Sequence, residues 1–424
     1  VLGSHRVVPL GGVLIAGGHY AMAVPAAGTT WLGLGPISAG TGLPQPNVAT
    51  MVGKLYRTDD ERRNAGFALS YVAIIIGAFA GPLITGRLGD QRSWHWGSSA
   101  AAIGMPFGLV QYVVGRRHLA GRKHAAEFAL APDAMRRAIR LIASGPATAT
   151  ALAVLLATAG RLTMGRFVDL LTLVSVIAPV AYFAVMSASP RATPEERGRL
   201  RPYVVLILAS TAFNLVLFQA YSTMMVLAST NAETTILGFD LPASWYASAL
   251  GALAVALAPV VAALGVRMRH RRPHASNKIA IGAALGGLSF LLMVLPTAGH
   301  SSDGHLMSVW WIVGSYLLLG LGDILRETSG MSATTKLAPA AFAGQTMSLW
   351  FLALANGIQA QTVRLYDDVS KPAHFGVNGA IAVAAGLAVT AAAPWLRRTM
   401  HPVRRHDGGP AHAHPYVLPL QDDP

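Results

Sequence analysis

The sequence predicts an all-α polytopic membrane protein, and three observations carry that reading. Its 424 residues are 53% hydrophobic and only 12% charged, with a mean hydropathy of +0.46; soluble chains carry about 25% charged residues. The apolar residues gather into twelve stretches near the roughly 20 residues with which a helix crosses hydrocarbon while satisfying its own backbone. Between those stretches the basic residues alternate. Of 33 Lys and Arg, 26 fall on one side and six on the other, leaving Arg326 inside a span. Basic loops mark the cytoplasmic face, so both ends of the chain are expected in the cytoplasm, beneath the inner (plasma) membrane.

The net charge of +14 is therefore mainly a topology signal. It also favours contact with anionic membrane lipids, and nucleic-acid binding is not expected. With no Cys, the chain has no disulfide, thiolate metal site or thiol nucleophile. The 44 Gly and 25 Pro suit membrane helices better than soluble ones.

Taken in order, residues Val1–Arg6 read as a loop entered midway, with no signal-peptide pattern. Spans are predicted at Val7–Val24, Trp31–Val52, Ala65–Gly86 and Gly97–Gly115, joined by short loops. A basic stretch, Arg116–Arg140, follows, then a hairpin of spans Leu141–Gly160 and Val168–Ser187 with few polar residues. After a polar loop come Tyr203–Ala228, Ser244–Val266, Ile279–Gly299, Leu306–Thr328, Phe342–Thr362 and Phe375–Leu396. The tail is rich in His, Pro and Gly and expected to be disordered; His406, His412 and His414 read as solvated rather than as metal ligands. This gives four units: residues 1–115, 116–201, 202–398 and 399–424.

Gly40, Gly42, Pro44 and Pro46, beside Asn47, interrupt the second span. Missing N–H groups loosen the backbone ladder there; the stretch reads either as a broken helix lining a solute path or as a kinked packing helix.

The most specific pattern lies in residues 40–89. Gly40-Thr41-Gly42, Pro46-Asn47-Val48 and Gly53-Lys54-Leu55-Tyr56 lead into Arg62-Arg63-Asn64-Ala65-Gly66-Phe67. Tyr71, Gly77-Ala78, Pro82-Leu83, Gly86 and Leu88-Gly89 complete it. Later blocks are Leu241–Trp245, Ser332–Pro339 and Gly344–Leu352. Together they resemble the proton-dependent oligopeptide transporter family, a branch of the major facilitator superfamily, in order from Val1 to about Leu396. The resemblance implies two six-helix bundles with an inserted two-helix hairpin, fourteen helices in all. In that register the hairpin is spans five and six. The family's first two helices, including the one bearing its acidic-and-arginine Glu-x-x-Glu-Arg motif, are then absent from this chain.

Ionisable groups within a span cost several kcal/mol unless paired or hydrated, so each is a functional candidate. Asp323, Arg326 and Glu327 lie within two turns of span ten, with spacings that let them share a face. They read either as a proton-holding cluster tuned by Arg326 or as a snorkelling group near the cytoplasmic end of the span. His19 in span one reads mainly as a packed histidine. The resemblance adds that Gly322-Asp323 stands in place of the family's Gly-Glu, associated with the peptide amino end, and that Trp350 matches its pocket-region tryptophan. Gln45 replaces the lysine associated with the peptide carboxylate. Ile75 and Leu250 replace asparagines, Phe218 replaces a glutamate, and Arg326-Glu327 stands where Leu-Ser is usual.

The expected function is proton-coupled uptake of di- or tripeptides, or of related small solutes, by alternating access, with substrate on Gln45, Asp323 and Trp350. Asp323, Glu327 and Arg326 are the proton-coupling candidates. No cofactor or metal is expected, the proton gradient supplying the energy. A same-fold transporter or exporter of a less polar solute, and a non-transporting or inactive membrane protein, remain alternatives. No nucleotide loop, metal cluster or nucleophile–base pair points to an enzyme. Oligomeric state is not read from the sequence.

Overall fold

The computed structural model describes residues 4–26, 28–56, 62–115, 136, 140, 163–233, 235–236, 239–240, 243–268, 273–299, 306–351 and 355–400. Predicted span five, most of the basic stretch before it, and the tail with His406, His412 and His414 lie outside these residues.

Eleven of the twelve predicted spans correspond to helices. The first four are α1 (Ser4–Ala23), the pair α2 (Thr29–Thr41) and α3 (Pro44–Leu55), α4 (Arg62–Gln91) and α5 (Trp94–Gly115). Then come α6 (Met164–Ala188), the pair α7 (Pro194–Gln219) and α8 (Thr223–Asn231), α9 (Ala243–Arg267) and α10 (Ala275–Gly299). The chain continues through α11 (Trp310–Leu337), the pair α12 (Ala343–Phe351) and α13 (Ala355–Arg364), and α14 (Lys371–Met400). The two-residue strands β1 (Thr235–Ile236) and β2 (Phe239–Asp240) form a small antiparallel turn between α8 and α9. Seven helical segments among the described residues are long and apolar enough to cross a membrane.

Apolar side chains face outward as freely as inward, the pattern of a lipid-solvated surface. Leu69 and Phe107 are each 72% exposed, while Trp94, Trp96 and Trp310 stand exposed at helix starts, where an aromatic belt meets the membrane–water interface. Small residues bring helices into close contact. A Cβ on Gly18 would lie 2.6 Å from the Gly33 carbonyl, and one on Gly40 would lie 2.8 Å from that of Gly11. The α1 and α2 backbones therefore touch at both levels.

The second span breaks where its composition predicts. α2 ends at Thr41 and α3 starts at Pro44, with Gly42 and Leu43 still in right-handed helical geometry. Pro44 and Pro46 lack the N–H groups that would bond back to Gly40 and Gly42, so the ladder is cut there. Asn47 Nδ2 donates to the Leu43 carbonyl at 2.8 Å, tying the restarted helix together.

Two expectations change. The seventh span, predicted as one stretch, divides at Ala220–Ser222. Tyr221 and Ser222 bond three residues back, to Phe218 and Gln219, and the Tyr316 hydroxyl donates to the Ala220 carbonyl at 3.0 Å. A side-chain donor on that carbonyl replaces the ladder bond and stops the helix. The tenth span was expected to end at Thr328, but α11 runs on to Leu337 through small polar residues. Arg326 and Glu327 therefore sit in the helix interior, not at its end.

Candidate functional site: a cavity lined by an ion cluster

Helices from both halves of the chain enclose a cavity of about 700 Å³. The broken segment α2–α3 contributes Gly42, Gln45 and Pro46; α4 contributes Tyr71 and Ile75; α7 contributes Asn214 and Phe218. α9 adds Leu250, α11 adds Asp323, Arg326 and Glu327, and α12 adds Trp350. Every proposed substrate and proton residue thus reaches one chamber. Gly40, Pro44 and Asn47 do not line it and serve the packing of the break; His19 does not line it either.

Arg326 organises the ion cluster. Its Nη2 lies 2.7 Å from Asp323 Oδ1 and 2.7 Å from Glu327 Oε2, and its Nη1 donates to Ser210 Oγ at 2.7 Å. The Asp323 contact follows from i, i+3 spacing. The Glu327 contact does not: adjacent residues diverge on a helix, and the long Arg326 side chain folds back to meet it. The guanidinium is also flanked by the rings of Phe213, 4.8 Å away, and Trp350, 5.7 Å away, favourable cation–π geometry. Trp350 Nε1 donates to Glu327 Oε1 and Oε2 at 3.3 Å each.

Burial excludes the snorkelling reading. The Arg326 side chain is 4% exposed and that of Glu327 is 10%, so neither head reaches water outside the protein. Asp323 is the more open acid at 20%. Desolvating three charges is tolerated only because each is paired and hydrogen-bonded. With both acids ionised the cluster carries a net charge of −1; one bound proton makes it neutral.

Tyr71 was named from the sequence as part of the pattern in residues 40–89, but not as a site residue. Its hydroxyl donates to Asp323 Oδ2 at 2.6 Å, joining α4 to α11 across the cavity. Its signal was a lone phenol in an apolar span, but nothing local identifies the partner. Gly330 was also passed over. A Cβ there would fall 1.8 Å from Trp350 Cζ2, so the absence of a side chain gives the indole its place. Among the described residues no group of three His, Asp or Glu side chains is placed to hold a metal ion.

This arrangement can be compared with known proteins. The sequence profile of the POT family matches residues 5–380. The chain belongs to the POT family. It is 35% identical to the uncharacterized transporter YclF of Bacillus subtilis over 404 residues, covering 94% of this chain and 81% of that one. It is 32% identical to a di-/tripeptide transporter of Lactococcus lactis subsp. cremoris over 396 residues, covering 91% and 80%. A crystal structure of the peptide transporter POT in complex with sulfate superposes with a TM-score of 0.81 at 38% identity, covering 94% and 82%. This POT-family chain is thus a multi-pass membrane protein of a family of transporters, not enzymes, with a nearly all-helical, major facilitator-like fold.

Proposed function

We propose that this POT-family chain imports di- or tripeptides, or related small amine-bearing solutes, together with protons by alternating access. The observation that carries the reading is a two-sided cavity whose ion cluster has one negative charge more than it can pair. The peptide transporters among its relatives support the substrate class. Both ends of the chain lie on the cytoplasmic side of the plasma membrane in this reading. Residues 1–115 and 202–398 are the rocking units, and 116–201 form the inserted loop and hairpin.

A solute ammonium has Asp323 as its partner, Trp350 bounds that end of the chamber, and Gln45 faces the solute with a neutral amide. A proton entering on Asp323 or Glu327 neutralises the cluster, which lowers the cost of carrying it through a closed, water-poor state. Each 100 mV contributes about 2.3 kcal/mol per charge moved, and each pH unit about 1.4 kcal/mol.

The test is accumulation of labelled alanyl-alanine in liposomes holding the purified chain under an imposed pH gradient. Asp323→Asn and Gln45→Ala are expected to lower accumulation. Native accumulation in both variants sinks the site assignment.

A second reading, transport of a less polar solute or export, is favoured by Ile75, Phe218 and Leu250, which all stand on the cavity wall. Unlabelled small peptides would then fail to compete with that solute.

A further inference from the structure

Behind the cavity wall lies a second buried polar cluster that the transport reading does not use. At the end of α7, Leu217, Phe218 and Tyr221 face the cavity, while Gln219 between them is fully buried on the other side. Gln219 Oε1 lies 2.6 Å from His374 Nε2 on α14, and Gln219 Nε2 lies 3.2 Å from Asn378 Oδ1, one turn further along α14. His374 is 3% exposed.

The hydrogen positions follow from the partners. Asn378 Nδ2 donates to the His374 carbonyl at 2.7 Å, so Asn378 Oδ1 is an acceptor. Gln219 Nε2 therefore donates to it, and also to the Leu215 carbonyl at 3.0 Å. Gln219 Oε1 is left to accept, taking the Thr223 hydroxyl at 3.4 Å and the His374 ring. His374 Nε2 must then carry a hydrogen in either charge state, and a second proton can arrive only on Nδ1. Protonation leaves the bond to Gln219 in place and converts it to a charge-assisted one, which is shorter and stronger.

Of the side chains in this cluster, His374 is the one whose ring can take up a further proton. The helices packed on α14 carry their charged residues far away: Lys278 at the opposite end of α10, and Glu195 to Arg201 at the opposite end of α7. In the turn before α14 lie Tyr366, whose ring meets His374 edge-on at 5.0 Å, and the carboxylates Asp367 and Asp368. Burial, with the Asp367 charge beside it, pushes the Tyr366 phenol up to about 12, so it stays neutral. Tyr221 and Tyr316 lie at the helix break, and Lys371, on His374's own helix, is tied to Asn231 Oδ1 of α8 at 2.6 Å.

We infer that His374 is a positioning residue of the transport cycle: acting through Gln219, it anchors the end of α7 at the Ala220–Ser222 break, firmly when protonated and loosely when neutral. The residues flanking Gln219 form the cavity wall, so movement at this anchor reshapes the chamber. This inference rests on the proposed transport function and adds a proton-sensitive group outside the cavity.

Exchange of labelled for unlabelled alanyl-alanine in liposomes, at equal pH on both sides, removes the driving force and leaves only the protein's own titration. The native chain is expected to show a step in exchange rate within the range of about pH 5 to 8 where histidine changes charge. His374→Gln keeps an amide donor toward Gln219 but cannot titrate; it is expected to lose the step while its best rate falls about threefold. His374→Leu, with neither property, is expected to fall at least tenfold at every pH while eluting as a single species. A native pH profile in His374→Gln, or native exchange in His374→Leu, overturns the inference. NMR of ¹⁵N-imidazole-labelled protein, with the His374 signal assigned by its loss in His374→Gln, reads the proton directly. A ring that stays neutral from pH 5 to 8 also overturns the inference. If the native chain exchanges no peptide while the NMR titration is present, it is the transport reading that falls, and the cycle role assigned to His374 falls with it.

Discussion

The Tyr71 hydroxyl donates to Asp323 Oδ2 at 2.6 Å across 252 positions of sequence, so one hydrogen bond joins the two halves of the molecule at the cavity. Asp323 meanwhile accepts from Arg326 on its other oxygen. In the proposed transport reading, a solute ammonium arriving in the cavity competes with Tyr71 for the same carboxylate. The phenol therefore holds the acid in place when the chamber is empty and is available to leave it when the chamber fills.

Tyr71→Phe removes that donor and nothing else from the cavity wall. Hydrogen bonds to charged groups contribute about 1.5–3 kcal/mol. The expected result is initial alanyl-alanine uptake about tenfold lower, from a protein that still purifies as a single species. Equal uptake by Tyr71→Phe and the native chain would remove Tyr71 from the site.

The Arg326–Glu327 pair is expected to behave as a unit. Arg326→Leu leaves Glu327 buried without its cation, and breaking a buried pair from one side costs about 3–5 kcal/mol. Glu327→Ser strands the guanidinium in the same way, though Asp323 still compensates part of its charge. The double variant, Arg326→Leu with Glu327→Ser, removes both charges together and should recover most of the lost stability. Thermal unfolding of the four proteins in detergent gives the cycle. Additive losses would mean that the pair is not coupled.

Much of the fold is legible in the sequence because membrane helices announce themselves by length and basic loops by side. The break at Gly42 was legible for the same reason, since proline removes a donor wherever it stands. Hydropathy, however, reports contact with lipid and not the extent of a helix. It fades at Thr328, whereas α11 continues through Ser329–Leu337, whose small polar side chains are mostly buried against other helices. That is why the depth of Arg326 and Glu327 was open. The acids themselves stood out by their cost in a span, while Tyr71 and His374 did not. Their roles depend on Asp323 and Gln219, which lie more than 150 positions away in the chain. The break at Ala220 was hidden likewise, because its cause is Tyr316 on another helix.

Gly330 carries a prediction about packing. Trp350 lies across it so closely that an added Cβ would be 2.1 Å from Cη2 as well as 1.8 Å from Cζ2. Gly330→Ala must therefore push the indole off Glu327 and Arg326, and overpacking of this kind costs about 1–3 kcal/mol. Lower thermal stability together with reduced alanyl-alanine binding is expected. Unchanged binding would show that Trp350 does not shape the chamber.

Gln45 gives the prediction that addresses substrate choice. It lines the cavity on the α2–α3 side, while the acids of α11 line it from the other half of the chain. A zwitterionic peptide that places its ammonium at Asp323 finds an amide, not a cation, at Gln45 for its carboxylate. Burying an unpaired carboxylate is costly, and a lysine there would supply the missing charge. Gln45→Lys is therefore expected to favour alanyl-alanine over its C-terminal amide by at least threefold more than the native chain does, because only the acid gains a partner. Competition of the two compounds against labelled alanyl-alanine measures the ratio directly. An unchanged ratio would mean that the substrate carboxylate does not approach α3, and the substrate would have to be placed the other way round in the chamber.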